Sequence, residues 1–83
     1  MQVQVRYFAS LREALGGHEA AELPTGATLG ALRDGLISRS PRHAEVLGRS
    51  RTLRGAINQL MCDEGAVVPE GAEVAFFPPV TGG

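Results

Sequence analysis

Side chains that usually carry catalysis are few in this chain, and none falls in a usable spacing. His18, His43 and Cys62 lack the separations that tie a metal ion, so each reads as a surface or packing residue. Cys62 ends an apolar run and is followed by Asp63 and Glu64, surroundings that raise a thiol pKa and argue against a nucleophile. There is no glycine-rich phosphate loop, serine elbow or paired-carboxylate motif. The basic residues, 8 in all, are every one arginine, which excludes a lysine Schiff base and self-linkage through lysine side chains. The remaining candidate reactive group is the chain's own end, Val80-Thr81-Gly82-Gly83.

Glycines usually mark a turn, and a turn leads somewhere; Gly82 and Gly83 lead nowhere. Upstream, Phe76-Phe77-Pro78-Pro79 closes a strand-like run and then forbids its continuation, because proline cannot donate to a β-ladder and biases its predecessor toward extended backbone. The pattern predicts a folded body over residues 1–77 and an extended tail over 78–83, with a reach of about 20 Å if fully stretched. A tip without side chains fits a channel too narrow for any larger residue.

At 83 residues, 43% of them hydrophobic, the chain is one small globular domain. No apolar run approaches the length of a membrane span, and Met1-Gln2-Val3-Gln4-Val5 alternates where a signal peptide would be continuously apolar. A single cysteine fits a reducing compartment, so the expected location is the cytoplasm. A net charge of −1 gives no general attraction to nucleic acid or to an anionic membrane. Charge is unevenly placed: beyond Arg54 only Asp63, Glu64, Glu70 and Glu73 are charged, which suggests that the tail leaves an acidic end of the molecule and that a receiving partner has a basic mouth.

The elements that must position the tail follow from periodicity. Val3, Val5 and Tyr7 alternate with Gln2, Gln4, Arg6 and Phe8 as in a half-buried strand. Ser10-Leu11-Arg12-Glu13 reads as the capping box of a short helix that stops at Gly16-Gly17. A second strand over roughly residues 19–23 ends in the turn Pro24-Thr25-Gly26. Thr28 caps a longer helix with Leu29, Leu32, Leu36 and Ile37 on one face; Gly30 and Gly35 weaken it, and Pro41 ends it. Ser40-Pro41 starts a further short helix to about Leu47. Residues 48–53 form a loop, residues 54–61 a strand with Ile57 in the core, residues 67–71 a short extended piece and turn, and residues 73–77 the last strand.

Two strands, a crossover helix and further strands give an α+β fold. With a right-handed crossover the first and last strands lie side by side and parallel at the centre of a mixed sheet, covered by the long helix. This is the β-grasp, ubiquitin-like arrangement, here with an extended C-terminal tail. Two aromatics then stand out of register: Phe8 shares a face with Gln4 and Arg6, and Phe77 shares one with Glu73, both away from the core. On neighbouring strands they form one apolar patch on the open face, beside the tail.

The run Glu73-Val74-Ala75-Phe76-Phe77-Pro78-Pro79-Val80-Thr81-Gly82-Gly83 resembles the C-terminal signature of the MoaD/ThiS family of sulfur carriers. Val5-Arg6-Tyr7-Phe8-Ala9 with Leu11-Arg12-Glu13, and Ala56-Ile57-Asn58-Gln59, are similar to that family as well. The Phe-Phe-Pro-Pro element resembles its molybdopterin branch more than its thiamine carriers.

The resemblance implies a small, non-catalytic subunit of molybdopterin synthase that forms a heterotetramer with the large, catalytic subunit. The Gly83 carboxylate would be adenylated by an E1-like adenylyltransferase using ATP and then converted to a thiocarboxylate by a sulfur donor. The thiocarboxylate would pass its sulfur to cyclic pyranopterin monophosphate. Gly82 and Gly83 match the family's diglycine. Phe8, Arg12, Met61 and Phe77 occupy positions that resemble its large-subunit interface, and Pro78, Pro79, Val80 and Thr81 belong to the inserted tail. Met61 stands where leucine is commoner, a nearly volume-conserving change. The resemblance implies no metal or cofactor bound to the carrier itself. Two further readings share the glycine tail: a carrier for thiamine, thiolated-nucleoside or cysteine synthesis, and a ubiquitin-like protein modifier.

Overall fold

A computed structural model describes residues 1–79. Its elements are β1 (Gln2–Tyr7), α1 (Ala9–Leu15), β2 (His18–Glu22), α2 (Leu29–Ile37), α3 (Pro41–Leu47), β3 (Arg54–Ile57), β4 (Leu60–Cys62) and β5 (Glu73–Phe77). The strands form one 5-stranded sheet in the order β2-β1-β5-β3-β4. β1 and β5 run parallel at its centre, with Val5 opposite Val74 and Tyr7 opposite Phe76; the other pairings are antiparallel. This is the β-grasp architecture that the element order predicts.

Alternation decides which side of the sheet becomes core. Val3, Val5 and Tyr7 of β1 and Val74 and Phe76 of β5 are buried, and they meet Leu29, Leu32 and Leu36 from the inner face of α2. Ile37 packs only at the margin. Thr28 caps α2, its hydroxyl accepting from the Ala31 amide at 3.1 Å, and Ser40 caps α3 by accepting from the His43 amide at 3.1 Å. Gly16, with φ 91, ends α1 where the left-handed conformation favours glycine.

Three readings of the sequence need correction. Ser10 caps nothing: α1 begins at Ala9, two residues before a Ser10 cap would start it, with the Phe8 carbonyl accepting from the Leu11 and Arg12 amides, so the Ser10 side chain already lies within the first turn. Ala9 takes a left-handed φ of 54 and swings the chain sharply from strand into helix. Residues 54–61 are not one strand but β3, a two-residue turn and the start of β4. Asn58 and Gln59 have φ of 49 and 71, two consecutive positive values as in a primed hairpin loop. Asn58 is held there by its own backbone and side chain, its amide donating to the Glu73 carbonyl at 2.8 Å and its Oδ1 accepting from the Glu73 amide at 3.0 Å. The third correction, to the acidic end, concerns the root of the tail and follows from this hairpin.

Candidate interaction face and tail root

Phe8 and Phe77 come together as the alternation predicts. The Phe8 amide donates to the Phe76 carbonyl at 3.2 Å, extending the β1–β5 ladder one residue past the Tyr7–Phe76 pair and setting Phe8 beside Phe77. Phe8 is 42% exposed and Phe77 is partly exposed, on the side of the sheet opposite α2. The hairpin brings in a third apolar residue. Ala56 pairs with Ala75 on one side and with Met61 on the other, so Met61, 57% exposed, joins the same open face across two small side chains. The face therefore runs from aromatics at its centre to a thioether at its edge, with an alanine floor between them. Arg12 is exposed on α1, one turn beyond Phe8.

Pro78 and Pro79 continue directly from Phe77 and are partly buried. Val80, Thr81, Gly82 and Gly83 lie outside the described residues. Pro78 and Pro79 thus leave from the end of the central strand of the sheet. Arg54 of β3 is the residue paired with Phe77, so the root of the tail is not simply acidic. Linear charge order placed acids there, whereas strand register sets an arginine against the last strand residue.

An open groove of about 400 Å³ lies at this corner, with Leu29, Gly55 and Phe76 in its floor and Arg54, Cys62 and Asp63 among its lining. Gly55 leaves room for Leu29: a Cβ there would stand 2.6 Å from the Leu29 Cδ2, and that buried side chain would have to shift. Burial pushes the Cys62 thiol up, and the neighbouring Asp63 carboxylate adds to the shift against a weaker opposing hydrogen bond to Ile57, as the sequence indicated. A thiol so placed is a poor nucleophile. Among the described residues no group of His, Cys, Asp and Glu is arranged to hold a metal ion, and no helix is long and apolar enough to cross a membrane.

Two polar clusters hold the helices in place and were not legible in the sequence. Arg33, only 4% exposed on α2, donates to the carbonyls of Leu47, Gly48 and Arg51 at 2.7–2.8 Å and to Glu64 at 2.7 Å. Arg49 caps this cluster by pairing with Asp34 and Glu64. The hydrogen bond from Arg49 outweighs the opposing effect of burial and, with a smaller one from Arg33, holds the Glu64 carboxyl below its ordinary range. Across the molecule, Glu19 on β2 accepts from the Tyr7 hydroxyl at 2.6 Å, bonds His43 Nε2 at 2.7 Å and pairs with Arg39. His43 Nδ1 in turn meets Ser40 Oγ at 2.7 Å. Burial acts to raise the Glu19 carboxyl, but the hydrogen bonds from Tyr7, His43 and Arg39 outweigh it and leave it lowered. Burial first, and then the hydrogen bond to Glu19, push the Tyr7 phenol far above its ordinary value. Both clusters bind element to element, the first joining α2 to the end of α3, the chain after it and Glu64, the second joining β1, β2 and α3.

Comparison with known proteins agrees with this geometry. Residues 5–83 match the ThiS family. The chain is 37% identical over 81 residues to the molybdopterin synthase sulfur carrier subunit of Escherichia coli, covering 98% of this chain and 99% of that one. It is 34% identical over 84 residues to small archaeal modifier protein 1 of Haloferax volcanii, covering 94% and 97%. The crystal structure of that modifier superposes over the whole of both chains with a TM-score of 0.80 at 27% identity in the structural alignment. A chain from the complex of subunits 1 and 2 of molybdopterin-converting factor from Helicobacter pylori, 25% identical, superposes over the whole of both chains with a TM-score of 0.69. A family match over nearly the whole length, joined to the parallel β1–β5 centre and the terminal strand that feeds the tail, establishes that the chain belongs to the ThiS family.

Proposed function

We propose that this protein is the sulfur carrier subunit of molybdopterin synthase and acts in the cytoplasm. Full-length similarity to molybdopterin synthase sulfur carrier subunits is the observation that carries the reading, and the position of the tail root beside an exposed aromatic pair supports it. The chemistry is dictated by the weakness of a carboxylate as an electrophile. An E1-like adenylyltransferase would join the Gly83 carboxylate to the α-phosphate of ATP, releasing pyrophosphate. A sulfur donor would then displace AMP and leave a thiocarboxylate.

The large, catalytic subunit would dock on Phe8, Arg12, Met61 and Phe77 and receive residues 78–83 in its channel, two copies of each subunit making the heterotetramer. The thiocarboxylate sulfur would attack cyclic pyranopterin monophosphate, and two such transfers would build the dithiolene. In this reading the carrier needs no bound cofactor, because ATP is consumed on the activating enzyme and the pterin is held by the partner.

The test is intact mass spectrometry of the carrier after incubation with ATP, the activating enzyme and a sulfur source. Replacement of one terminal oxygen by sulfur is expected, followed by reversion when the large subunit and the pterin precursor are added. A second reading rests on the similarity to small archaeal modifier protein 1. A modifier would appear in stable amide adducts with lysines of other proteins, and a thiocarboxylate that the pterin precursor fails to discharge would favour it.

A further inference from the structure

The open face carries a cation that neither the sequence pattern nor the apolar patch accounts for. Arg54 is exposed at the start of β3 and is paired by strand register with Phe77, the last strand residue before the tail. Among the described residues Arg6, Arg33, Arg39 and Arg49 each lie within ion-pair distance of a carboxylate, whereas Arg12, Arg42, Arg51 and Arg54 do not, and of these four Arg54 alone stands on a strand of the sheet. Glu73, the acid on the same face of the neighbouring strand, is taken by Arg6 at 3.4 Å. Asp63 lines the same groove as Arg54, but its Oδ1 accepts from the Gly65 amide at 2.9 Å. The apolar face is therefore bordered at the root of the tail by a positive charge that has no counter-ion among the described residues.

A partner that covers Phe8, Phe77 and Met61 must also come close to Arg54. A guanidinium brought toward a dry interface without a counter-ion is costly, and a matching carboxylate turns that cost into orientation and faster encounter. We propose that the catalytic subunit presents an aspartate or glutamate opposite Arg54, and that this ionic contact at the tail root orients docking so that the tail is aimed at its channel. The inference rests on the carrier reading given above and adds to it a residue and the charge of the surface it meets. Arg54 is a positioning residue, remote from the reacting sulfur.

The experiment measures association of the full-length carrier with the purified catalytic subunit by stopped-flow or surface plasmon resonance, at low and at high salt. Four variants are compared: Arg54→Glu, Arg54→Leu, Phe77→Asp, and Arg42→Glu as an exposed arginine on α3. The expected result is that Arg54→Glu associates about tenfold more slowly than wild type at low salt, with most of the difference erased at high salt. Arg54→Leu should fall between them, and Arg42→Glu should match wild type. Circular dichroism melts confirm that each variant is folded. If Arg54→Glu and Arg54→Leu associate like wild type while Phe77→Asp is defective, the ionic contact is refuted and the docking face stands. If Arg42→Glu slows association as much as Arg54→Glu, the effect is one of net charge and the assignment to Arg54 is overturned. If wild type fails to bind the catalytic subunit, or Phe77→Asp binds normally, the carrier reading of this face falls and the inference falls with it.

Discussion

Phe76 and Phe77 are adjacent in the chain and lie on opposite sides of β5, Phe76 only 1% exposed among the core residues and Phe77 partly exposed on the open face. The same ring is thus placed in the core at one position and on the open face at the next. Phe76→Asp buries an unpaired charge and should unfold the domain or cost more than about 3 kcal/mol. Phe77→Asp should leave the melting temperature close to wild type while weakening large-subunit binding by about 2 kcal/mol or more. Thermal unfolding and titration calorimetry on both variants check the pair; equal loss of stability would refute the assignment of faces.

The tail separates chemistry from fold in the same way. Deleting Gly83, or replacing Gly82 with a bulky residue, should abolish sulfur transfer without changing thermal stability, because among the described residues the core cluster ends at Phe76. Molybdopterin formation in a reconstituted assay is the readout, and a fully active Gly83 deletion would refute the proposed carrier chemistry.

Glu19 links stability to pH. Its folded-state pKa is lowered from the ordinary 4.5, so its contribution is fully present above that value and is lost as the pH falls through the folded value. Denaturant unfolding between neutral pH and pH about 3 should show wild type losing stability across this acidic window. Glu19→Gln should be less stable at neutral pH and show a flatter pH dependence. Glu19→Ala also strips the partner from the buried Tyr7 hydroxyl and should cost about 1–3 kcal/mol at neutral pH.

Arg33 is the polar keystone under α2. Replacing it with leucine leaves the carbonyls of Leu47, Gly48 and Arg51 without this donor, and unfolding measurements should show a loss of about 3 kcal/mol. Arg42→Leu, on the exposed side of α3, should change stability by no more than about 0.5 kcal/mol.

Gln59 occupies a positive-φ position that suits glycine better. Gln59→Gly should raise stability by up to about 1 kcal/mol in thermal unfolding. A lowered melting temperature would show that the Gln59 side chain contributes more than its backbone costs.

The sequence by itself determined what depends on near neighbours. Two-residue alternation marked Val3, Val5, Tyr7, Val74 and Phe76 as one buried face, and Thr28 and Ser40 announced their helices because a capping hydroxyl acts within three residues of itself. The end of the last strand before Pro78-Pro79 was equally readable, because proline acts through its own backbone geometry. The capping box at Ser10 failed because Phe8, its amide held by the Phe76 carbonyl of β5, offers its own carbonyl to the Leu11 and Arg12 amides and starts the helix first.

Tertiary structure decided everything that needed register. The hairpin at Asn58-Gln59 carries no glycine to mark it and is held by Glu73, fifteen residues away; without it Met61 cannot be placed against Ala56, nor Arg54 against Phe77. Arg33 and Glu19 find their partners only after α2, α3 and the sheet have packed, because hydrogen bonds across such separations form where the fold brings the atoms together. Local pattern therefore specified which residues face inward, and the pairing of distant strands specified which of the outward residues meet to make a surface.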